Sequence, residues 1–391
     1  MDSTVNVEIH RSQFPNRLQS ELAGCLRTLR VNHKFHYESH KQVQRWLALH
    51  EAHSPARTDP RVEQIYADAF GEVADQLVDA PALHVISLGC GGGQKDLQLL
   101  RRLSAIETGT EQRDWSASVS ETSRSGVVES RRQGQAARAS DSQGAATAPE
   151  DGTQPRAASV QTSPRRLSYS PVDVSVGLTL TARDATSEVI DPADCHPLAC
   201  DLLTADDLPR ILDAHTPPEA RRIILFFGML PNFEPDEILG RLAGLLRKDD
   251  LLLCSANLAP GDDYETGVRK VLPQYDNAAT RKWLATLPND LGIEIDPNDI
   301  AFAIAACDDA PALKRIEATC VVPADAVIQL GAESISLQAG ERLRLFFSCR
   351  YTSSVLANIM KPHGLRVAAE WLAPSGEEGV FLLAYGEPTP T

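Results

Sequence analysis

Apolar residues recur at helical spacing over Arg61–Asp79 (RVEQIYADAFGEVADQLVD), and the next apolar run, HVISL at His84–Leu88, enters a group of glycines. That order predicts a helix, a buried strand and a tight turn. Further on, Tyr169–Ser175 (YSPVDVS), His196–Leu203 (HPLACDLL) and Arg221–Leu230 (RRIILFFGML) read as strands. Glu234–Lys248 reads as an amphipathic helix, and Asp250–Leu258 (DLLLCSANL) as another strand. Apolar strands alternating with helices predict an α/β fold with a parallel sheet covered on both faces. Between about Ala301 and Ser348 the period changes to two. FAIAACD, RIEATCVVP, AVIQLG, SISLQAG and RLRLFFS, parted by Gly, Pro or Asp, predict an antiparallel sheet in a second, smaller domain. A helix over Ser353–Lys361 and two strands, LRVAAEWLA and GVFLLAY, complete the pattern.

One stretch carries no such pattern. From about Ile106 to Leu167 the chain is Ser, Thr, Ala, Gly, Gln and Arg, with Trp115 its only aromatic residue. A segment so poor in large apolar groups cannot offset the entropy of ordering and is expected to be disordered. It reads as a tolerated insertion, or as a tether for a protein partner that could take phosphate at RRLS (Arg165–Ser168) or at Ser163–Pro164.

Charge narrows the partners. The 391 residues hold 38 Lys and Arg against 53 Asp and Glu, a net charge of −15. From Ala105 to Ser168 eight arginines balance eight acids, so the whole excess belongs to the remainder. An acidic chain with no basic stripe is expected to bind neither nucleic acid nor an anionic membrane. The opening MDSTVNVEIHRSQFPNR lacks the basic and apolar regions of a secretory leader, and no run approaches the roughly 20 apolar residues of a membrane helix. A cytoplasmic location is expected.

The eight cysteines include no CxxC pair and read as small buried hydrophobes. His33, His36, His40, His50 and His53 lack a completing carboxylate or cysteine pattern, so no metal site is expected. HYESHKQVQRWLALH reads instead as an amphipathic helix with a solvated histidine face.

The strongest chemical signal is HVISLGCGGGQKDLQLL, where Gly89, Gly91 and Gly93 are spaced by two between a strand and a helix. Glycines there let the backbone turn sharply and approach a ligand beside free helix N–H donors. The run is neither GxGxxG nor a P-loop, and suits S-adenosylmethionine better than a dinucleotide. Asp173 ends the next predicted strand, where a carboxylate accepts both ribose hydroxyls. Asp201 ends the one after, placed to accept from the adenine amino group.

These blocks, with KFHYESHKQVQRWLALHEAHSPART (Lys34–Thr58), ILFFGMLPNFEPDE (Ile224–Glu237), QYDNAA (Gln274–Ala279) and SCRYTSSVLANIMKPHGL (Ser348–Leu365), run in an order that resembles the histidine-specific, S-adenosylmethionine-dependent methyltransferase family. That family includes the ergothioneine-pathway enzymes and fungal dimethylallyltryptophan N-methyltransferases. The resemblance implies a Rossmann-like class I methyltransferase sheet from residues 61–104 and 169–260, completed by 351–391. A smaller α+β substrate domain would come from 1–60 and 261–350, with the insertion at 105–168.

It also implies roles for named residues. Gly89, Gly91, Gly93, Lys95, Asp173 and Asp201 would bind the cofactor, Lys95 at its methionine carboxylate. Asn232 would hold the acceptor's α-amino group, Tyr275 its carboxylate, and Tyr37 would stand beside them. Two departures matter. AHSPART, with Ala52 and His53, replaces a family run rich in tyrosine. Phe346 replaces the glutamate that would hold an imidazole N–H, although Ser348 remains. A site that has lost a hydrogen-bonding partner prefers a different substrate, so a larger or more apolar amine than histidine is expected.

Methyl transfer from a sulfonium needs a positioned neutral acceptor and a dry site, without a nucleophilic side chain or metal. Asn232 would accept an N–H and aim the nitrogen lone pair, while Tyr37 or a water takes the proton. The residues leave two alternatives open: an O- or C-methyltransferase on a small molecule, and a degenerate protein that binds the nucleoside or a partner without turnover.

Overall fold

The structure, a computed structural model, describes residues 6–53, 59–105, 165–308 and 310–385. Most of the segment expected to be disordered, with Ser163 and Pro164, lies outside them.

The strand β2 (Ala82–Leu88) is buried at every position, which is why it reads as a continuous apolar run. It pairs in parallel with β3 (Arg166–Asp173) on one side and β5 (Ala220–Phe226) on the other. Around this centre an eight-stranded sheet runs in the order β1-β4-β3-β2-β5-β6-β13-β12. Its other members are β1 (Glu8–Ile9), β4 (Leu198–Ala199), β6 (Leu251–Asn257), β12 (Leu365–Leu372) and β13 (Glu378–Tyr385). Only β13 runs against the rest: it pairs antiparallel with both β6 and β12. This is the Rossmann-like methyltransferase sheet expected from the sequence. Because β3 and β5 flank β2, the strand order reverses there, and a crevice opens beyond the carboxyl ends of these strands.

The helices follow from apolar stripes. α1 (Pro15–Arg27) and α2 (His40–His53) precede α3 (Pro60–Gln76), which buries Val62, Ile65, Tyr66, Ala69, Phe70 and Val73. α4 (Gln94–Ala105) buries Leu99, Leu100 and Leu103, and α5 (Val176–Thr186) follows β3. α6 (Leu208–His215) and α7 (Pro235–Leu245) cover the other face of the sheet with Leu208, Ile211, Leu212, Ile238, Leu239 and Leu242.

Over the carboxyl ends of the sheet stands a smaller assembly, the lid. It contains α8 (Tyr264–Tyr275), α9 (Ala278–Leu284), α10 (Thr286–Asp290) and five antiparallel strands, with α11 (Ser353–Met360) returning the chain to β12. The strands do not make one sheet. β7 (Ala301–Ala306), β8 (Lys314–Val321) and β11 (Arg342–Arg350) form a three-stranded sheet, while β9 (Ala326–Leu330) and β10 (Glu333–Leu337) form a separate hairpin. The hairpin's inward Ile328, Ile335 and Leu337 share a core with Leu22 and Leu26 of α1. Its partner is therefore a helix from the opposite end of the chain, which no local pattern announces.

Three local expectations need correction. His33 and His36 do not sit on a solvated helix face: both are buried in a 3-10 turn, His33–His36, ahead of α2. His36 Nε2 donates to Leu345 O of β11, 2.7 Å away, so β11 holds the ring. β4 covers only two residues of HPLACDLL. Asp201 Oδ1 accepts from Leu203 N at 2.9 Å, and this turn stops the strand. Finally, β3 begins at Arg166, so Ser168 is a buried strand residue bonded to His84 at 2.8 Å and is not open to phosphorylation.

Candidate functional site

The chain leaves β2 through Gly89, Gly91 and Gly93, whose φ angles are +71°, +52° and +73°. Side chains other than glycine seldom adopt that region. Gly89 N and Cys90 N both donate to Val172 O, at 2.7 and 3.1 Å, which ties the turn to β3. Asp173, at the end of β3, faces the turn. Its Oδ2 accepts from Gly91 N at 3.3 Å and its Oδ1 from Ser175 N at 3.0 Å. Burial pushes this carboxyl up to about 6, against the pull of backbone N–H groups at Ser175, Gly91 and Val174. The carboxylate keeps acceptor capacity for a ligand.

Asp201 lies one strand further out. Its Oδ2 accepts from Lys34 Nζ at 2.6 Å, and its backbone N donates to Ser12 Oγ at 3.0 Å. Lys95 sits in the first turn of α4, with Nζ 3.8 Å from the Tyr66 ring centroid and 2.6 Å from its hydroxyl. Tyr66 in turn donates to Glu378 at 2.5 Å.

These residues converge on one cavity of about 380 Å³, within the range of small-molecule sites. Gly89, Gly91, Gly93, Lys95, Asp173 and Asp201 line it, and so do Tyr37 and Asn232. Asn232 closes the 3-10 turn Leu230–Asn232 that follows β5. Tyr37 packs edge-on against Trp46 at 5.6 Å. Burial, and next the Asp173 charge, push the Tyr37 phenol well up, so it stays neutral near pH 7. Burial likewise lowers the cavity residue His33 to about 4.

Tyr275, Phe346 and Ser348 are not in that lining. They form a second cluster on the lid. Tyr275 Oη donates to Ser348 Oγ at 2.9 Å and accepts from Arg350 Nη2 at 2.6 Å, while Asn257 Nδ2 donates to both hydroxyls at 3.3 Å. Phe346 packs against Trp283 and Tyr275 with ring centroids at 6.0 and 6.3 Å. Trp283 lies 5.8 Å from Tyr37, so an aromatic wall joins the cavity to this cluster. Ala52 and His53 end α2, both exposed.

Sequence reasoning missed Lys34, Tyr66, Glu378, Arg350 and Asn257. Each is a lone polar residue whose partner lies far along the chain. Lys34 and Arg350 sat in blocks already singled out, and Asn257 in a predicted strand.

A Rossmann-like sheet with a glycine turn after its central strand and carboxylates at the next two strand ends defines an S-adenosylmethionine-dependent methyltransferase. The model of the histidine-specific, S-adenosylmethionine-dependent methyltransferase family matches residues 156–385, and the chain belongs to that family. No curated protein matches it. Among solved structures it is similar to an S-adenosylmethionine-dependent methyltransferase from Clostridium acetobutylicum, at 11% identity over 88% of this chain and 99% of that one, with a TM-score of 0.38. It is also similar to a Burkholderia thailandensis 1,6-didemethyltoxoflavin-N1-methyltransferase with bound S-adenosylhomocysteine, at 10% identity over 89% of each chain, with a TM-score of 0.36. Likenesses this distant carry no weight for the site. Among the described residues no helix is long and apolar enough to cross a membrane.

Proposed function

We propose that this methyltransferase N-methylates the amino group of an amino acid or related small amine whose side chain is larger or more apolar than imidazole. The observation that carries the proposal is that Asn232 and Tyr37 share one cavity with the glycine turn and both strand-end carboxylates. Gly89, Gly91 and Gly93 would admit the cofactor's backbone, Asp173 its ribose, Asp201 its adenine and Lys95 its carboxylate. When bound, S-adenosylmethionine supplies an activated methyl carbon.

The protein's task is then to present a neutral nitrogen and exclude water. Amines near their ordinary pKa are mostly protonated at pH 7. Asn232 would accept an N–H and point the lone pair at the methyl group. A neutral Tyr37 can orient the amine but is a poor base, which assigns the leaving proton to water. The apolar wall of Trp283 and Phe346 offers no acceptor to an imidazole N–H, whereas Tyr275, Ser348 and Arg350 suit a carboxylate.

Screening amino acids and amines for S-adenosylhomocysteine release, with product mass and connectivity, tests the proposal. An N-methylated amino acid supports it, an O- or C-methylated product refutes it, and no turnover with any acceptor favours the degenerate reading. With the acceptor so found, Asn232→Ala is expected to lower kcat/KM by about tenfold or more, the loss of one oriented hydrogen bond. S-adenosylhomocysteine affinity should not change.

The raised Asp173 pKa gives a pH prediction. Ribose hydroxyls donate to the ionised carboxylate, so below about 6 binding must first expel a proton. The S-adenosylhomocysteine Kd should be flat above pH 7 and rise by about tenfold per pH unit well below 6, one proton being displaced. Calorimetry between pH 5 and 8 reads this, and Asp173→Asn should flatten the profile.

A further inference from the structure

The N-terminal segment was expected to serve the acceptor, yet several of its polar contacts run to Asp201 and the loop after β4. Lys34 is only 2% exposed, and its ammonium donates to Asp201 Oδ2 at 2.6 Å and to Glu21. A lysine this deep is costly unless paired, and a surface site would have matched Glu21 without burying the charge. Asp201 is gripped at a second point, because its backbone N donates to Ser12 Oγ. Ser12 Oγ is 2.9 Å from His10 Nδ1, and His10 Nε2 is 2.9 Å from Asp207. The segment thus holds the loop after β4 at both its start and its end. Asn32, His33 and Lys34 also line the cavity itself.

We infer that the N-terminal segment completes the nucleoside site, with Lys34 the positioning residue that holds the Asp201 carboxylate ready to accept from the adenine amino group. The inference rests on Asp201 being the adenine acceptor. Of the lone-pair positions on that carboxylate, Leu203 N takes one and Lys34 another, which fixes its plane and leaves the remainder for a ligand. Glu21 shares the lysine, so the trio keeps a net negative charge suited to an N–H donor.

The test is calorimetric titration of the full-length protein with S-adenosylhomocysteine and with S-inosylhomocysteine, in which a carbonyl oxygen replaces the adenine amino group. Lys34→Met should weaken S-adenosylhomocysteine by about tenfold or more, as expected for disturbing a charged acceptor, and should narrow the preference over the inosyl ligand. A purely structural role would weaken both ligands equally. Lys34→Arg should restore most of the affinity. In the Asp201→Asn background, Lys34→Met should add little, because the two act as one unit. Ser12→Ala, a milder change that serves if Lys34→Met does not fold, should narrow the same preference by a few-fold. Folded Lys34→Met protein, or Ser12→Ala in its place, with wild-type affinity and preference overturns the inference, as does full additivity with Asp201→Asn. An Asp201→Asn protein that binds S-adenosylhomocysteine normally instead overturns the adenine assignment on which it rests.

Discussion

Asp173→Ala is expected to abolish measurable S-adenosylhomocysteine binding. The carboxylate would accept from both ribose hydroxyls, and charged hydrogen bonds of this kind contribute about 1.5–3 kcal/mol each. Losing two weakens binding by at least about 100-fold, since each 1.4 kcal/mol is a factor of ten. The alanine also strands Gly91 N and Ser175 N, which the carboxylate now satisfies. The measurement therefore pairs calorimetry with thermal unfolding and includes Asp173→Asn, which keeps an acceptor in place. Tight binding by folded Asp173→Ala protein would remove the ribose assignment.

The second large effect is expected at Gly93 and falls on stability as well as binding. Its φ of +73° disfavours any residue with a Cβ. A Cβ there would also stand 2.7 Å from Ala182 Cα and 3.1 Å from Ala182 O. Both are backbone atoms of α5, so relief requires α4 and α5 to part. Gly93→Ala should cost about 2–4 kcal/mol, combining the backbone strain and overpacking. This would be read as a lower denaturant midpoint with little change in slope. Gly92 is the control. Its φ is not positive, and an added Cβ would meet only the flexible side chain of Gln94. Gly92→Ala should be well tolerated, and equal losses at both positions would show that strain at Gly93 is not the cause.

The two positions show what kind of information the sequence holds. That Gly93 is a special glycine was legible from its spacing after an apolar strand. That its partner is Ala182, on the next helix, was not. The same division holds across the site. Gly89, Gly91, Asp173 and Asp201 could be found because parallel strands put consecutive strand ends at one crevice, so chain order alone groups them. Lys34 could not be paired with Asp201, 167 residues away, because a single lysine in a polar segment carries no sign of burial. The histidines misled for the same reason: spacing of three and four suggests a helix face, but His36 is fixed by Leu345 O from the far end of the lid.

By itself the sequence determined the alternation of strand and helix, the sheet with its glycine turn, and the residue types at the strand ends, since periodicity and backbone freedom are local properties. Tertiary structure decided which lone polar groups became partners, that the period-two strands split into a sheet and a hairpin around α1, and that Phe346 belongs to an aromatic wall with Trp283 and Tyr37. Burial and pairing are properties of the space between segments, and that space exists only once the chain has closed.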